Sequence, residues 1–107
     1  IMRKHPEEGE NICRPLRSLK DVLPIIRWHQ ERWDGSGYPD GLKGEEIPIL
    51  TRIVSIVDLY DALSTDRPYR RALKDEECFI IMREETKLGK WDPSLIEQFI
   101  YFKQNSV

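Results

Sequence analysis

Pro48-Ile49-Leu50-Thr51-Arg52-Ile53-Val54-Ser55-Ile56-Val57-Asp58-Leu59-Tyr60-Asp61-Ala62-Leu63-Ser64 reads as one long helix, apolar over most of its circumference. Pro48 suits the first helical position, where its missing N–H is no loss. A helix of this kind normally sits centrally in its domain, so the rest of the chain is expected to pack around it. One residue breaks the pattern. Asp58 stands in the middle of the apolar run, where a bare carboxylate would cost several kcal/mol to desolvate. Either N–H and arginine partners compensate it as a core aspartate, or a metal cation does. Asp61 is a second acceptor or a solvent-facing residue.

Outward on the N-terminal side lies Asp34-Gly35-Ser36-Gly37-Tyr38-Pro39-Asp40-Gly41-Leu42-Lys43-Gly44, which holds four of the chain's six glycines. That density forbids a regular helix, and a long loop inside a compact domain is often functional. Before it, a helix is expected over residues 20–32, with Val22, Ile26, His29 and Trp33 on one face and Pro24 in the first turn. His29 therefore points toward the core, or toward a site cut into it. Residues 7–14 can form a short helix ending before Pro15. On the C-terminal side a turn is expected at Asp66-Arg67-Pro68-Tyr69-Arg70, then a helix over 75–88. The last helix opens on Asp92-Pro93, an N-cap acid followed by proline. Its Leu95, Ile96, Phe99, Ile100 and Phe102 are expected to close the core. Strand signals are weak and no internal repeat is visible, so the architecture is expected to be all-α.

With 107 residues the chain is expected to form one domain, near the lower end of what buries a stable core. Apolar residues at 39% and charged residues at 34% fit a globular, soluble protein. Seventeen basic residues against 19 acidic ones give a net charge of -2, which disfavours nucleic-acid binding. A small anionic ligand held by a few local arginines remains compatible with it. Cys13 and Cys78 stand far apart without a Cys-x-x-Cys pair and read as reduced thiols. No apolar run approaches a membrane span and no signal peptide opens the chain, so a cytoplasmic location is expected.

His5, His29 and Asp58 are the residues from which a metal site can be assembled. Taken singly, His29 reads more readily as a satisfied core histidine than as a ligand, and His5, ahead of a proline, as a surface or cap residue. Together, two imidazoles and one carboxylate form a donor set suited to zinc, iron or manganese. Arg67, Arg70 and Arg71 form a second constellation around a proline and a tyrosine. Their guanidinium groups can bind phosphate in pairs while Tyr69 or Tyr38 stacks on a base. They can equally belong to a solvated turn paired with Asp66, Asp75 or Glu76.

The run His29-Gln30-Glu31-Arg32-Trp33-Asp34-Gly35-Ser36-Gly37-Tyr38-Pro39-Asp40-Gly41-Leu42 closely resembles the HD-GYP signature, with Gly37-Tyr38-Pro39 as the name-giving triplet. The likeness continues through Gly44, Ile47-Pro48, Arg52-Ile53, Asp58, Asp61-Ala62 and Arg67-Pro68-Tyr69-Arg70, and reaches back to His5-Pro6 and Gly9. It thus covers nearly all of residues 1–107, as the C-terminal part of such a domain. The resemblance implies an HD-domain-like helical bundle, truncated on its N-terminal side, and a metal-dependent phosphodiesterase acting on cyclic di-GMP. It implies two or three divalent metals, usually iron or manganese. His5, His29 and Asp58 correspond to metal ligands, and Tyr38, Arg67 and Arg70 to groups that meet the substrate.

Two departures accompany the resemblance. The family usually carries two adjacent histidines where this chain has His29-Gln30, and an amide oxygen is a poorer ligand than imidazole. The His-Asp dyad for which the superfamily is named lies upstream of His5, and only four residues precede His5 here. The chain by itself is therefore expected to hydrolyse little. The alternative is a non-catalytic regulatory module contacting diguanylate cyclase domains through the Gly-Tyr-Pro loop. A truncated helical domain is also expected to expose apolar surface and to self-associate.

Overall fold

A computed structural model of the chain describes residues 22–105. His5, Cys13 and the helix expected over 7–14 lie outside the described residues. Four α-helices follow one another: α1 (Leu23–Trp28), α2 (Ile49–Ser64), α3 (Asp75–Lys87) and α4 (Pro93–Gln104), with a 3-10 turn at Gly44–Glu46 before α2. Among the described residues, extended pairing is limited to one antiparallel bridge between Arg67 and Arg70. The all-α expectation holds.

The long apolar helix is central, since α2 packs against α1, α3 and α4. Ile56 enters a core with Cys78, Phe79 and Met82 of α3, Trp91, and Ile96 and Ile100 of α4. Leu59, Tyr60 and Leu63 of α2 pack against the same cluster. Pro48 is the N-cap of α2 rather than its first residue. Asp92 caps α4 as its sequence predicts: its carboxylate accepts from Ser94 N at 3.0 Å and Leu95 N at 3.4 Å. Its other oxygen takes a 2.7 Å hydrogen bond from Arg52 Nη1. Arg52 in turn donates from Nε to the Ile47 carbonyl at 2.8 Å. The pair joins the start of α2 to the start of α4, and its burial is offset by these extra bonds.

Three expectations need correction. The helix predicted over 20–32 stops at Trp28, with His29 as its C-cap and Val22 exposed. The chain must turn there because Gly37 presses on the backbone of residues 30–32. A Cβ at Gly37 would lie 2.6 Å from Arg32 N and from Glu31 Cα, so only glycine allows this approach. Phe102 does not close the core but is 66% exposed. Ile96 and Ile100 form the buried stripe of α4, and Phe102 falls off it. Finally, α2 is not covered all round. Leu50, Ile53 and Val57 are exposed, and Ile53, Ile56, Leu95, Phe99 and Phe102 line an apolar groove of about 210 Å³ between α2 and α4.

Candidate functional site

His29 owes its position to the end of α1. Its backbone N–H bonds to the Ile25 carbonyl at 3.0 Å, and its ring Nδ1 lies 3.1 Å from the Ile25 carbonyl and 3.0 Å from that of Ile26. A carbonyl oxygen can only accept, so Nδ1 carries the proton and Nε2 keeps its lone pair. A backbone-fixed Nδ1–H is the usual outer support of a metal-binding histidine. The carbonyl of His29 accepts a 3.1 Å hydrogen bond from Ser55 Oγ on α2. Asp58 follows Ser55 by three residues, so both lie on the same face of α2.

The consequence is one cleft of about 320 Å³. His29, Gln30 and Arg32 form one wall, Ser55, Asp58 and Leu59 the floor, and Glu85, Lys90 and Trp91 the other wall. The histidine and the aspartate singled out in the sequence thus share a cavity. The reason given for Asp58 does not survive, however. Its side chain is exposed rather than sunk among aliphatic neighbours. The core face of α2 runs through Ile56, Leu59, Tyr60 and Leu63. Asp58 is rotated off it toward the exit of α1. Water, not a metal, can solvate this carboxylate, and the case for a cation rests on the shared cleft and the prepared imidazole.

Two donors by themselves do not make a metal site. Among the described residues no group of three or more histidine, cysteine, aspartate or glutamate side chains comes together to hold an ion. His5 lies outside the described residues. The donors present fit a divalent metal in kind, one neutral imidazole nitrogen and one carboxylate, and leave further positions to other ligands.

The Gly-rich loop is built around a residue that the sequence reading passed over. Glu31 is only 3% exposed. Its Oε2 accepts from the N–H groups of Asp40 at 2.7 Å and Gly41 at 3.1 Å, and Oε1 accepts from Leu42 at 2.7 Å. Three charge-assisted bonds satisfy the buried carboxylate and fix the far limb of the loop. Asp40 is clamped from outside by Arg27, through Nε at 2.9 Å and Nη2 at 3.2 Å, and by Trp28 Nε1 at 2.6 Å. The Arg27 guanidinium, then the indole N–H, hold the Asp40 carboxyl below the usual carboxylate range. Asp34 is lowered as well, chiefly by hydrogen bonds from Ser36. The loop also docks on the α3–α4 connection: Trp33 N donates to Lys90 O at 3.1 Å and Asp34 N to Gly89 O at 2.8 Å. The Tyr38–Pro39 peptide is cis.

Tyr38, Arg67 and Arg70 do not line the cleft that holds His29 and Asp58. Arg67 and Arg70 pair through their backbones, at 2.7 Å and 3.1 Å, across Pro68-Tyr69. The Arg70 guanidinium is largely engaged at the C-terminal end of α2. It donates to the carbonyls of Ala62 at 2.8 Å, Leu63 at 3.2 Å and Arg71 at 2.8 Å. Such bonds satisfy terminal helix carbonyls. Arg67 makes one long contact, Nε to Ala62 O at 3.4 Å, and is exposed.

A family model described as HD domain matches residues 1–95. The chain is 36% identical over 103 residues to a cyclic di-GMP phosphodiesterase of Pseudomonas aeruginosa, covering 94% of this chain and 24% of that protein. It is 43% identical over 102 residues to a 3'3'-cGAMP-specific phosphodiesterase of Vibrio cholerae, covering 91% and 19%. With a cyclic di-GMP phosphodiesterase of Thermotoga maritima the identity is 42% over 104 residues, covering 94% and 27%. The chain therefore spans about a quarter or less of the length of these curated relatives. Among the described residues no helix is long and apolar enough to cross a membrane.

Proposed function

The chain belongs to the HD domain family, and from that premise we propose that it is the C-terminal part of an HD-GYP domain that hydrolyses cyclic di-GMP with the help of divalent metal. The observation that supports the proposal is the cleft that His29, with its Nδ1 tied to the α1 carbonyls, lines together with Asp58. His29 Nε2 and the Asp58 carboxylate are the proposed metal ligands, joined by His5. A divalent cation held there, iron or manganese, supplies Lewis acidity for the attack of water on phosphorus. Attack forms one P–O bond to the water oxygen and breaks one P–O ester bond, so the cyclic dinucleotide opens while one proton of the water passes, through solvent, to the departing ribose oxygen.

The protein's own groups orient the substrate. Tyr38 is proposed to stack on a base, while Arg67 and the uncommitted N–H groups of Arg70 meet phosphate oxygens. The loop that carries Tyr38 is held in shape by Glu31, so this contact is prepared before substrate arrives. With His5, His29 and Asp58 as its donors, the 107-residue chain alone is expected to hold one metal ion and to turn over little.

The test is turnover of cyclic di-GMP by the full-length protein reconstituted with manganese or iron, followed by chromatography of the linear product. Arg67→Ala is expected to raise KM with metal retained. Loss of metal in that variant would contradict its assignment to substrate. A second reading is favoured by the position of Tyr38, Arg67 and Arg70 outside the cleft. On this reading the fixed Gly-Tyr-Pro loop is a contact surface for a diguanylate cyclase domain. Such a complex would survive Asp58→Ala and fail with Tyr38→Ala, whereas turnover abolished by Asp58→Ala supports the enzyme.

A further inference from the structure

The cleft beside His29 and Asp58 carries two cations to which the proposed chemistry gives no task. Arg32 donates from Nη1 to the Glu31 carbonyl at 3.2 Å, and its guanidinium carbon lies 4.9 Å from the centroid of the Trp91 ring. The ring is buried and held in turn by a 3.0 Å hydrogen bond from Nε1 to Glu85 Oε1. The guanidinium is thus fixed in plane and position by a carbonyl and an aromatic face, while most of its N–H groups stay uncommitted. Lys90 lines the same cleft, and the Trp33 N–H bonds to the Lys90 carbonyl and sets the two loop segments side by side. Among the described residues neither cation forms an ion pair with a carboxylate. Asp34 feels the Arg32 charge only as a minor influence, and Glu85 directs Oε1 to the Trp91 indole and pairs with neither cation.

Two unpaired positive groups lining one cleft, one of them prepared in a fixed orientation, are a receptor for an oxyanion. We propose that Arg32 and Lys90, organised by Trp91, form a phosphate-binding subsite of the cleft. The subsite holds a phosphate group of the nucleotide in the same cleft as His29 and Asp58. The assignment of that phosphate to a cyclic dinucleotide rests on the phosphodiesterase reading; the oxyanion subsite itself does not. Arg32 supplies planar, paired donors and Lys90 a movable charge, so the arginine sets geometry and the lysine adds attraction.

The experiment is a titration of the isotopically labelled protein with inorganic phosphate in the absence of divalent metal, read at the indole N–H resonance of Trp91. Saturable shifts are expected in the wild-type protein. Arg32→Ala is expected to weaken binding about tenfold, the loss of one charge-assisted bond, and Arg32→Lys less than that. Lys90→Met, at an exposed side chain, is expected to weaken binding several-fold and keeps the test valid if Arg32→Ala unfolds. Arg83→Ala, on the far side of α3 and paired with Glu97, serves as a control expected to leave binding unchanged. Unchanged phosphate affinity in folded Arg32→Ala or Lys90→Met protein, or no response at Trp91, overturns the subsite. The same substitutions made in the full-length protein and assayed with cyclic di-GMP separate the two ideas. Phosphate binding without any turnover sinks the phosphodiesterase reading alone, whereas turnover with an unaltered KM in Arg32→Ala sinks the subsite alone.

Discussion

Glu31 and Asp58 are both carboxylates near the same loop; the apolar run points to a buried carboxylate at Asp58, and the buried one is Glu31. Asp58 lies in an apolar run yet faces solvent, whereas Glu31, between Gln30 and Arg32, is buried on three backbone N–H groups. The two oxygens of Glu31 divide their work, Oε2 serving Asp40 and Gly41 and Oε1 serving Leu42. Glu31→Gln has one acceptor oxygen left and can keep one set of bonds only. Glu31→Ala loses both and is expected to destabilise the protein by about 2 kcal/mol. Hydrogen exchange at the amides of residues 40, 41 and 42 reads this directly. Protection is expected to fall at one set in the glutamine variant and at all three in the alanine variant; unchanged protection would refute the stapling role. A need for acceptors was legible in a glycine-rich loop, whose N–H groups must bond somewhere. Which carboxylate supplied them was not, because the bonds span nine to eleven residues.

At the scale of elements, apolar spacing and caps were informative wherever the pattern was local. Asp92-Pro93 opens α4 and the α3 range came out within a residue, since both depend on contacts inside one or two turns. The end of α1 was misjudged because it is imposed by Gly37 packing on residues 30–32, a tertiary contact. The link between α2 and α3 was likewise invisible in the sequence. Tyr60 donates a 2.6 Å hydrogen bond to Asp75, and this bond, with burial and the negative charge of Asp75, pushes its phenol up to about 12. A phenol whose folded value is raised stabilises the fold fully below its unfolded value. That contribution is lost as pH rises through the folded one. Denaturation at a series of alkaline pH values is therefore expected to show stability falling between about pH 10 and about 12, with a shallower fall in Tyr60→Phe. Equal slopes in both proteins would exclude the Tyr60–Asp75 bond as the cause.

For the whole molecule, a helical bundle centred on α2 followed from the seventeen-residue run that opens the sequence reading. What the run could not reveal is which of its faces is covered. Leu50, Ile53 and Val57 are exposed, and the groove shared by Ile53, Leu95 and Phe102 is apolar. We therefore expect the 107-residue chain to self-associate, with Phe102→Ser reducing the association. Sedimentation at rising concentration checks this, and a monomer throughout would contradict it. Site legibility followed the same division. His29 and Asp58 were found as types of residue, and the structure places them in one cleft for a reason other than the one the apolar pattern suggested. Arg32, Glu85, Lys90 and Trp91 share that cleft but stand up to 59 positions apart, beyond the reach of any spacing rule.

The central claim, that His29 and Asp58 hold one cation between them, is tested most directly by metal analysis of the manganese-loaded protein and its His29→Ala, Asp58→Ala and double variants after exhaustive dialysis. Each single variant is expected to lose the same metal equivalent, and the double variant to lose no more than either single. Full metal content in Asp58→Ala, or separate and additive losses from the two positions, would contradict a shared site.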